Sequence, residues 1–367
     1  AAVDPLVLHE IFTFWAPLGE QTIFNNIKQI QPGHFLLCQN GKIIDQTYWQ
    51  LEFLPEDIQA QTARSFAVIL EQFRELLIDA TRIRLRADVP VGAYLSGGVD
   101  SSTLSAIILN YTQNQLDTFS ISFSDPEYDE SIFQQQMADF LGTAHHSVHT
   151  SDEIIGQVYP QVIWHTETPV LRTAPAPMFL LSKLVHEHQF KVIMTGEGAD
   201  EFLAGYDIFK ETMIRYFWAR VPDSKYRYLL LSRIYGHISD LQKLPPAALR
   251  LFYAQGLTDT GNRCYSHLLR WQNTYRASRF FSKALRNELG SYSVVQDVES
   301  RLPAGISSWD ELARAQYLEI VSFLSTYLLS SQGDRMLMAH AVEGRYPFLD
   351  PAVIRIATKL PRPAKLS

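Results

Sequence analysis

The chain has 367 residues, 46% of them apolar and 19% charged, and its 39 acids against 32 Lys and Arg leave a net charge of −7. That length supports one large domain with an appendage or two domains, each with a real core, and the small acidic excess argues against a nucleic-acid scaffold. Only two cysteines occur, Cys38 and Cys264, which speaks against a disulfide framework and reads as two buried thiols in a reducing compartment.

The N-terminal stretch AAVDPLVLHEIF carries Asp4, His9 and Glu10 where a secretion signal needs an unbroken apolar core. No apolar run approaches the ~18 residues of a membrane span. A soluble, cytoplasmic protein with neither membrane nor nucleic-acid partner is the expectation. Residues 1–58 predict short β-like runs broken by turns. Within them GHFLLCQNGKIIDQTYW reads as a hairpin turning at Asn40-Gly41. From about 62 to 87 the period becomes helical, with Phe66, Ile69, Leu70, Phe73, Leu76, Leu77, Ala80 and Ile83 on one stripe. Arg82, Arg84 and Arg86 follow near its end, where cations suit the helix dipole.

A strand–helix alternation comes next. VPVGAYLS predicts a buried strand and DSSTLSAIILNYT a helix; DTFSISF predicts a second strand and YDESIFQQQMADFLG a helix closed by Gly142. TAHHSVHT is a candidate third strand, and Thr150 with Glu153 suggests a capping box for the helix that follows. PMFLLSKLVHEHQF predicts another helix, and KVIMTG a short strand running into EGADEFLAGYD. This spacing implies an α/β fold with a parallel sheet covered by helices on both faces. Beyond residue 207 strands become hard to find and the chain reads as largely helical. The aromatic stretch from Tyr216 to Tyr235 reads as helix packing rather than a base-stacking surface.

LSGGVDSS (95–102) is the stretch that carries chemistry. A strand ending in Ser96-Gly97-Gly98 and entering a helix near Asp100 leaves unpaired first-turn amides around a hollow, with Ser96, Ser101 and Ser102 as extra donors. That fits a phosphate or pyrophosphate. Asp100 would be repelled by phosphate oxygens unless a cation lies between them, which points to Mg²⁺ with a nucleotide. The stretch lacks the Lys of the common P-loop, and GEGADE ends in Glu201 where a dinucleotide fingerprint needs glycine. An ordinary strand-to-helix turn with a polar cap is the alternative. His145 and His149 fall on one face of their strand, but without a third ligand they read as ordinary histidines.

TGEGADEFLAGYD (195–207), GDRMLMAHAVEGRYPFLD (333–350) and TIFNNIKQIQPGHFLLCQNGKIIDQTYW (22–49), together with LSGGVDSS, span most of the chain and in the right order resemble glutamine-dependent asparagine synthetases. The resemblance implies the N-type ATP pyrophosphatase fold (adenine nucleotide alpha hydrolase-like), a parallel sheet flanked by helices with a largely helical C-terminal part and an N-terminal β remnant. It implies a ligase in which the aspartate side chain attacks the α-phosphorus of ATP and ammonia from glutamine then displaces AMP, giving asparagine. It assigns Ser96, Gly97, Gly98, Ser101 and Ser102 to pyrophosphate and the backbone around Leu95, Ile121, Thr195 and Gly196 to adenosine. Asp100 and Asp200 become Mg²⁺ ligands, and Glu197, Glu343 and Arg172 become catalytic candidates. Arg345 is expected to anchor its segment by ion pairing, and Asp334 with Arg335 to form a structural pair. By the same resemblance residues 1–58 are the end of a glutaminase-like domain plus linker, and 59–367 an ATP-binding domain with an incomplete C-terminal tail. Residue 1 is alanine where the glutaminase has its cysteine nucleophile. The partners implied are small molecules, and a homodimer is left open. A relative adenylating another carboxylate, such as a lasso-peptide cyclase or a natural-product amide synthetase, and a silent nucleotide-binding module are the alternatives.

Overall fold

The computed structural model describes residues 2–55, 66–112, 115–235 and 243–366. The chain divides into two compact units, one made of Ala1–Thr62, Ala204–Thr326 and Pro361–Ser367, the other of Ala63–Leu203 and Tyr327–Leu360.

The first unit opens on a helix, Pro5–Phe14, where β-like runs were expected. Asp4 decides this locally: its carboxylate accepts the amides of Leu6 at 2.9 Å and Val7 at 3.3 Å, and Pro5 is preset for the first helical position. Val7, Ile11 and Phe14 then share one buried face. The hairpin forms as expected, with β1 (His34–Gln39) antiparallel to β2 (Lys42–Thr47). Asn40 and Gly41 turn it with φ of 52° and 72°, the positive values a tight two-residue turn requires. Cys38 is exposed on this hairpin, against expectation, because its strand has no covered face; Cys264 is buried.

The rest of this unit is helical. Trp218, Leu231, Leu249, Tyr253, Leu257 and Leu269 form one core cluster, so the Tyr216–Tyr235 stretch does serve packing. A buried polar knot holds the helices Tyr265–Tyr275 and Glu311–Glu319 together. Glu319 is paired with His267 Nε2 at 2.7 Å and with Arg270 through two bonds of 2.9 and 2.6 Å. Burial opposes the charge on Glu319, yet the Arg270 guanidinium, and after it the hydrogen bond from His267, bring its carboxyl down to about 2, while burial pushes His267 down to about 4.

The second unit carries the parallel sheet. Its strands are β3 (Val91–Tyr94), β4 (Asp117–Phe123), β5 (Ala144–Thr150), β6 (Val192–Met194) and β7 (Glu343–Arg345), in the spatial order β5-β4-β3-β6-β7. The order reverses beside β3, and the crevice at such a switch point is where open α/β sheets bind ligands. Ala93, Phe119, Ile193, Leu104 and Ile108 are fully buried between the sheet and its helices.

Three details differ from the sequence reading. β7 was not foreseen; it pairs with β6 in the register Val192↔Glu343 and Met194↔Arg345. The helix Phe66–Arg84 buries only Leu77, Ile78, Ala80 and Thr81, because just this stretch meets Ile107, Phe348 and Val353, and Phe66 and Leu70 stay exposed. The cap of the helix Asp152–Thr166 is Ser151, whose hydroxyl accepts the Ile154 amide, since Thr150 is still the buried last residue of β5. Among the described residues no helix is long and apolar enough to cross a membrane.

Candidate nucleotide site at the edge of the parallel sheet

Two turns leave the C-terminal edge of neighbouring strands. The first follows β3. Leu95 is buried and continues the ladder, its amide donating to the Phe119 carbonyl at 2.9 Å while its carbonyl accepts the Ser120 hydroxyl. Gly97 then takes a φ of +84°, and a Cβ there would stand 2.9 Å from Phe133 Cβ, so both conformation and space demand glycine. The turn is tied to itself. Ser101 Oγ accepts the Ser96 amide at 3.1 Å and shares a hydrogen bond with Ser96 Oγ at 3.0 Å, and Ser96 Oγ accepts the Gly98 amide at 3.2 Å. Gly98 caps the helix Val99–Tyr111 without a side chain. The amides of that first turn have no acceptor inside the helix, while Ser102 donates its amide to the Gly98 carbonyl.

The second turn follows β6. Thr195 donates its amide to the Arg345 carbonyl at 3.0 Å, and its hydroxyl accepts the Glu197 amide at 3.2 Å. Gly196 packs directly on the first turn: a Cβ there would lie 3.2 Å from Asp100 Cβ and 3.4 Å from the Ser101 nitrogen. Gly198 has a φ of +97° and faces Leu349 so closely that a Cβ would come within 2.2 Å. Asp200 then sits in the first turn of the helix Ala199–Leu203. The structure thus brings Ser96, Gly97, Gly98, Asp100, Ser101, Ser102, Thr195, Gly196, Glu197 and Asp200 to one edge. Ile121 lies on the adjoining β4, where its carbonyl accepts Gln134 Nε2 at 3.0 Å.

The acids there repel one another. Burial first and Asp200 second push Asp100 up to about 6. Burial, then Asp200 and Asp100, push Glu197 up to about 7, and burial raises Asp200 as well. Among the described residues no group of three or more His, Cys, Asp or Glu side chains is arranged to hold a metal ion. Asp100 and Asp200 are two carboxylates whose burial disfavours their charges, a donor set that fits Mg²⁺ when phosphate oxygens and water complete the shell.

Other candidates lie elsewhere. Glu343 starts β7 opposite Val192, at the N-terminal end of β6, whereas Glu197 follows that strand's C-terminal end. Its exposed carboxylate is paired with Arg345 Nε at 2.7 Å. Glu343 is therefore not gathered with the other acids; as residues two apart on a strand, Glu343 and Arg345 share a face and meet each other. Arg345 anchors its segment as expected, donating also to the Arg84 and Arg86 carbonyls at 2.5 and 2.9 Å. Arg172 lies on the loop between the helices Asp152–Thr166 and Pro175–Glu187, with its guanidinium 5.8 Å from the Tyr327 ring centroid. Asp334 and Arg335 do not pair. Arg335 reaches Glu167 at 2.9 Å, and Asp334 accepts the Tyr346 hydroxyl at 2.7 Å. His145 bonds Thr118, and His149 bonds Ser122 and Ser124, so both tie β5 and β4 as ordinary strand histidines.

Tyr346 went unnoticed in the sequence. It is the first residue past β7, beside the β6 turn, and the available signal was a tyrosine bracketed by Gly344 and the rigid Pro347.

The family model of asparagine synthase matches residues 72–367. The amidase chyE of Penicillium rubens is 29% identical over 95% of this chain and 54% of its own length. Asparagine synthetase [glutamine-hydrolyzing] 1 of Bacillus subtilis is 26% identical over 98% of this chain and 54% of its own. A putative asparagine synthetase of Mycobacterium bovis is 30% identical over 81% and 43%. The chain spans about half the length of the curated relatives it matches. With four-fifths of its residues inside the family match and both glycine turns at one sheet edge, the chain belongs to the asparagine synthase family.

Proposed function

We propose that this chain holds the synthetase site of an ATP-dependent amide ligase that adenylates the side-chain carboxylate of aspartate and passes it to ammonia. The observation that carries the reading is the close approach of Gly196 to Asp100, which joins the two turns and brings Asp100, Glu197 and Asp200 near enough to repel one another.

A carboxylate is a poor electrophile, so AMP has to be installed as a leaving group. The substrate oxygen bonds to the α-phosphorus of ATP, and the bond from that phosphorus to pyrophosphate breaks. First-turn amides after Gly98, with the Ser96, Ser101 and Ser102 hydroxyls, hold the departing pyrophosphate; positioning and charge neutralisation supply the catalysis. Backbone around Leu95, Ile121, Thr195 and Gly196 seats the adenosine. Asp100 and Asp200 hold Mg²⁺, which when bound neutralises the phosphate oxygens and relieves the repulsion between these acids. Ammonia then bonds to the acyl carbon, the carbon–oxygen bond to AMP breaks, and the nitrogen sheds one proton. Glu197, held at about 7, is suited to take that proton near neutral pH.

The experiment is ATP–pyrophosphate exchange with a panel of carboxylic acids in the full-length protein. Aspartate-dependent exchange supports the reading. Exchange with another acid favours a second one, a ligase for a different carboxylate, which the Penicillium relative named an amidase motivates. Nucleotide binding without exchange for any acid would leave a silent module.

A further inference from the structure

Gln134 is a buried amide set between the two features that frame the nucleotide crevice. It lies in the first turn of the helix Ser131–Leu141, and a Cβ on Gly97 would stand 3.1 Å from its backbone nitrogen, so the glycine turn rests against it. Its side chain reaches the end of β4. The Phe119 carbonyl accepts the Leu95 amide, and carbonyls two apart on a strand point the same way. The Ile121 carbonyl therefore faces the side where β3 has given way to the turn. Gln134 Nε2 donates to that carbonyl at 3.0 Å. A carbonyl only accepts, so the nitrogen of the amide is fixed there and its oxygen is left over. Oε1 has no hydrogen-bond partner among the described residues, in a residue only 4% exposed. A buried acceptor left in that state costs roughly 1–3 kcal/mol. The neighbouring Leu95 carbonyl is already engaged by the Ser120 hydroxyl.

Resting on the ATP site proposed above, we propose that Gln134 Oε1 accepts the exocyclic amino group of the nucleotide's base, which makes Gln134 the residue that selects adenine. With the phosphates held by the amides after Gly98, the base end of the nucleotide is directed away from that helix toward β4, whose Ile121 backbone seats the adenosine. Adenine carries an amino group at its six-position, a donor that satisfies the orphan oxygen. Hypoxanthine and guanine carry a carbonyl there, which would set two acceptors against each other. The terminal torsion of a Gln side chain is broad, so Oε1 can turn to the base at little cost.

The test reads binding, so it does not depend on turnover. Dissociation constants for ATP and ITP, each with Mg²⁺, are measured by calorimetry on the full-length protein and on Gln134→Leu, with Gln134→Met as the second variant if the first does not fold. Wild type should hold ATP about tenfold or more tighter than ITP. In the variant ATP should weaken about tenfold and ITP should stay within about twofold, so the preference disappears. A wild-type ratio near one, or a ratio that the substitution leaves unchanged, would overturn the assignment. So would equal weakening of both nucleotides, which marks a packing role exerted through Ile121. Loss of discrimination between ATP and 2′-deoxy-ATP in place of ITP would move the oxygen to the ribose and overturn it too. The expected ratios in a protein that supports no exchange with any acid would sink the ligase reading and leave this one standing, whereas a wild type that binds no ATP would overturn both.

Discussion

Glu197→Gln should make the nucleotide-free protein more stable, and increasingly so as pH rises. In the native state Glu197 titrates at about 7 against an ordinary 4.5, pushed up by burial and by Asp200 and Asp100. Between those values the native state keeps a proton that the unfolded chain has lost, so wild-type stability falls as pH climbs through the window. The full separation of 2.5 corresponds to about 3.4 kcal/mol, at about 1.36 kcal/mol for each step of one in pKa. Glu197 keeps part of its surface open to water, which screens the charge, so roughly half of that is the realistic share. Gln has the same shape and no charge at any pH. The stability gap between variant and wild type should therefore widen by roughly 1–2.5 kcal/mol from pH 5 to pH 8. Urea denaturation of both proteins at the two pH values, without nucleotide or divalent cation, measures it. A gap that stays flat, or that shrinks as pH rises, would refute the reasoning about these acids.

Asp100→Asn should abolish ATP–pyrophosphate exchange while leaving the thermal midpoint intact or higher, and millimolar Mg²⁺ with ATP should raise that midpoint in wild type but far less in the variant. Gly198→Ala meets both a positive φ and Leu349 at 2.2 Å, so denaturant unfolding should show a loss of about 2–4 kcal/mol. Glu343→Gln should leave exchange within about twofold of wild type, since its carboxylate is paired with Arg345 at the far end of β6; a hundredfold loss would return it to the chemistry. Glu319→Ala strips His267 and Arg270 of their buried partner and should cost about 3–5 kcal/mol in the same unfolding assay.

The strands β3 and β6 were legible as short apolar runs closed by turn chemistry and β4 by its alternation of Phe and Ile with Thr and Ser, and the glycines after β3 and β6 advertise the backbone freedom those turns need. β7 was not, because Glu343-Gly344-Arg345 has no β pattern of its own and is a strand only by virtue of the β6 edge it meets. Resemblance located the segment around Glu343 but could not say which way its side chains point; alternation along the strand sent Glu343 toward Arg345. Asp334 and Arg335 illustrate the same limit, since neighbours in sequence on a helical segment diverge and each found a partner elsewhere. At the N-terminus the local signal was present and underweighted: Asp4-Pro5 is a helix start, and it outranked the β-branched and aromatic residues after it.

Pairing of Val192 with Glu343 also has a bearing on how the protein is made. At roughly 5–20 residues per second, a ribosome needs roughly 7–30 s to travel from one strand to the next. During that interval β6 is an unclosed border, and the Thr195 amide has no Arg345 carbonyl to meet. The intervening residues 204–326 fall in the other compact unit, together with Ala1–Thr62 and Pro361–Ser367, so the nascent chain can collapse locally and shorten the search its late strand must make. The sheet edge that carries both glycine turns therefore closes only once Arg345 has been made, and a release that cuts the chain before it leaves the β6 border open to foreign strands.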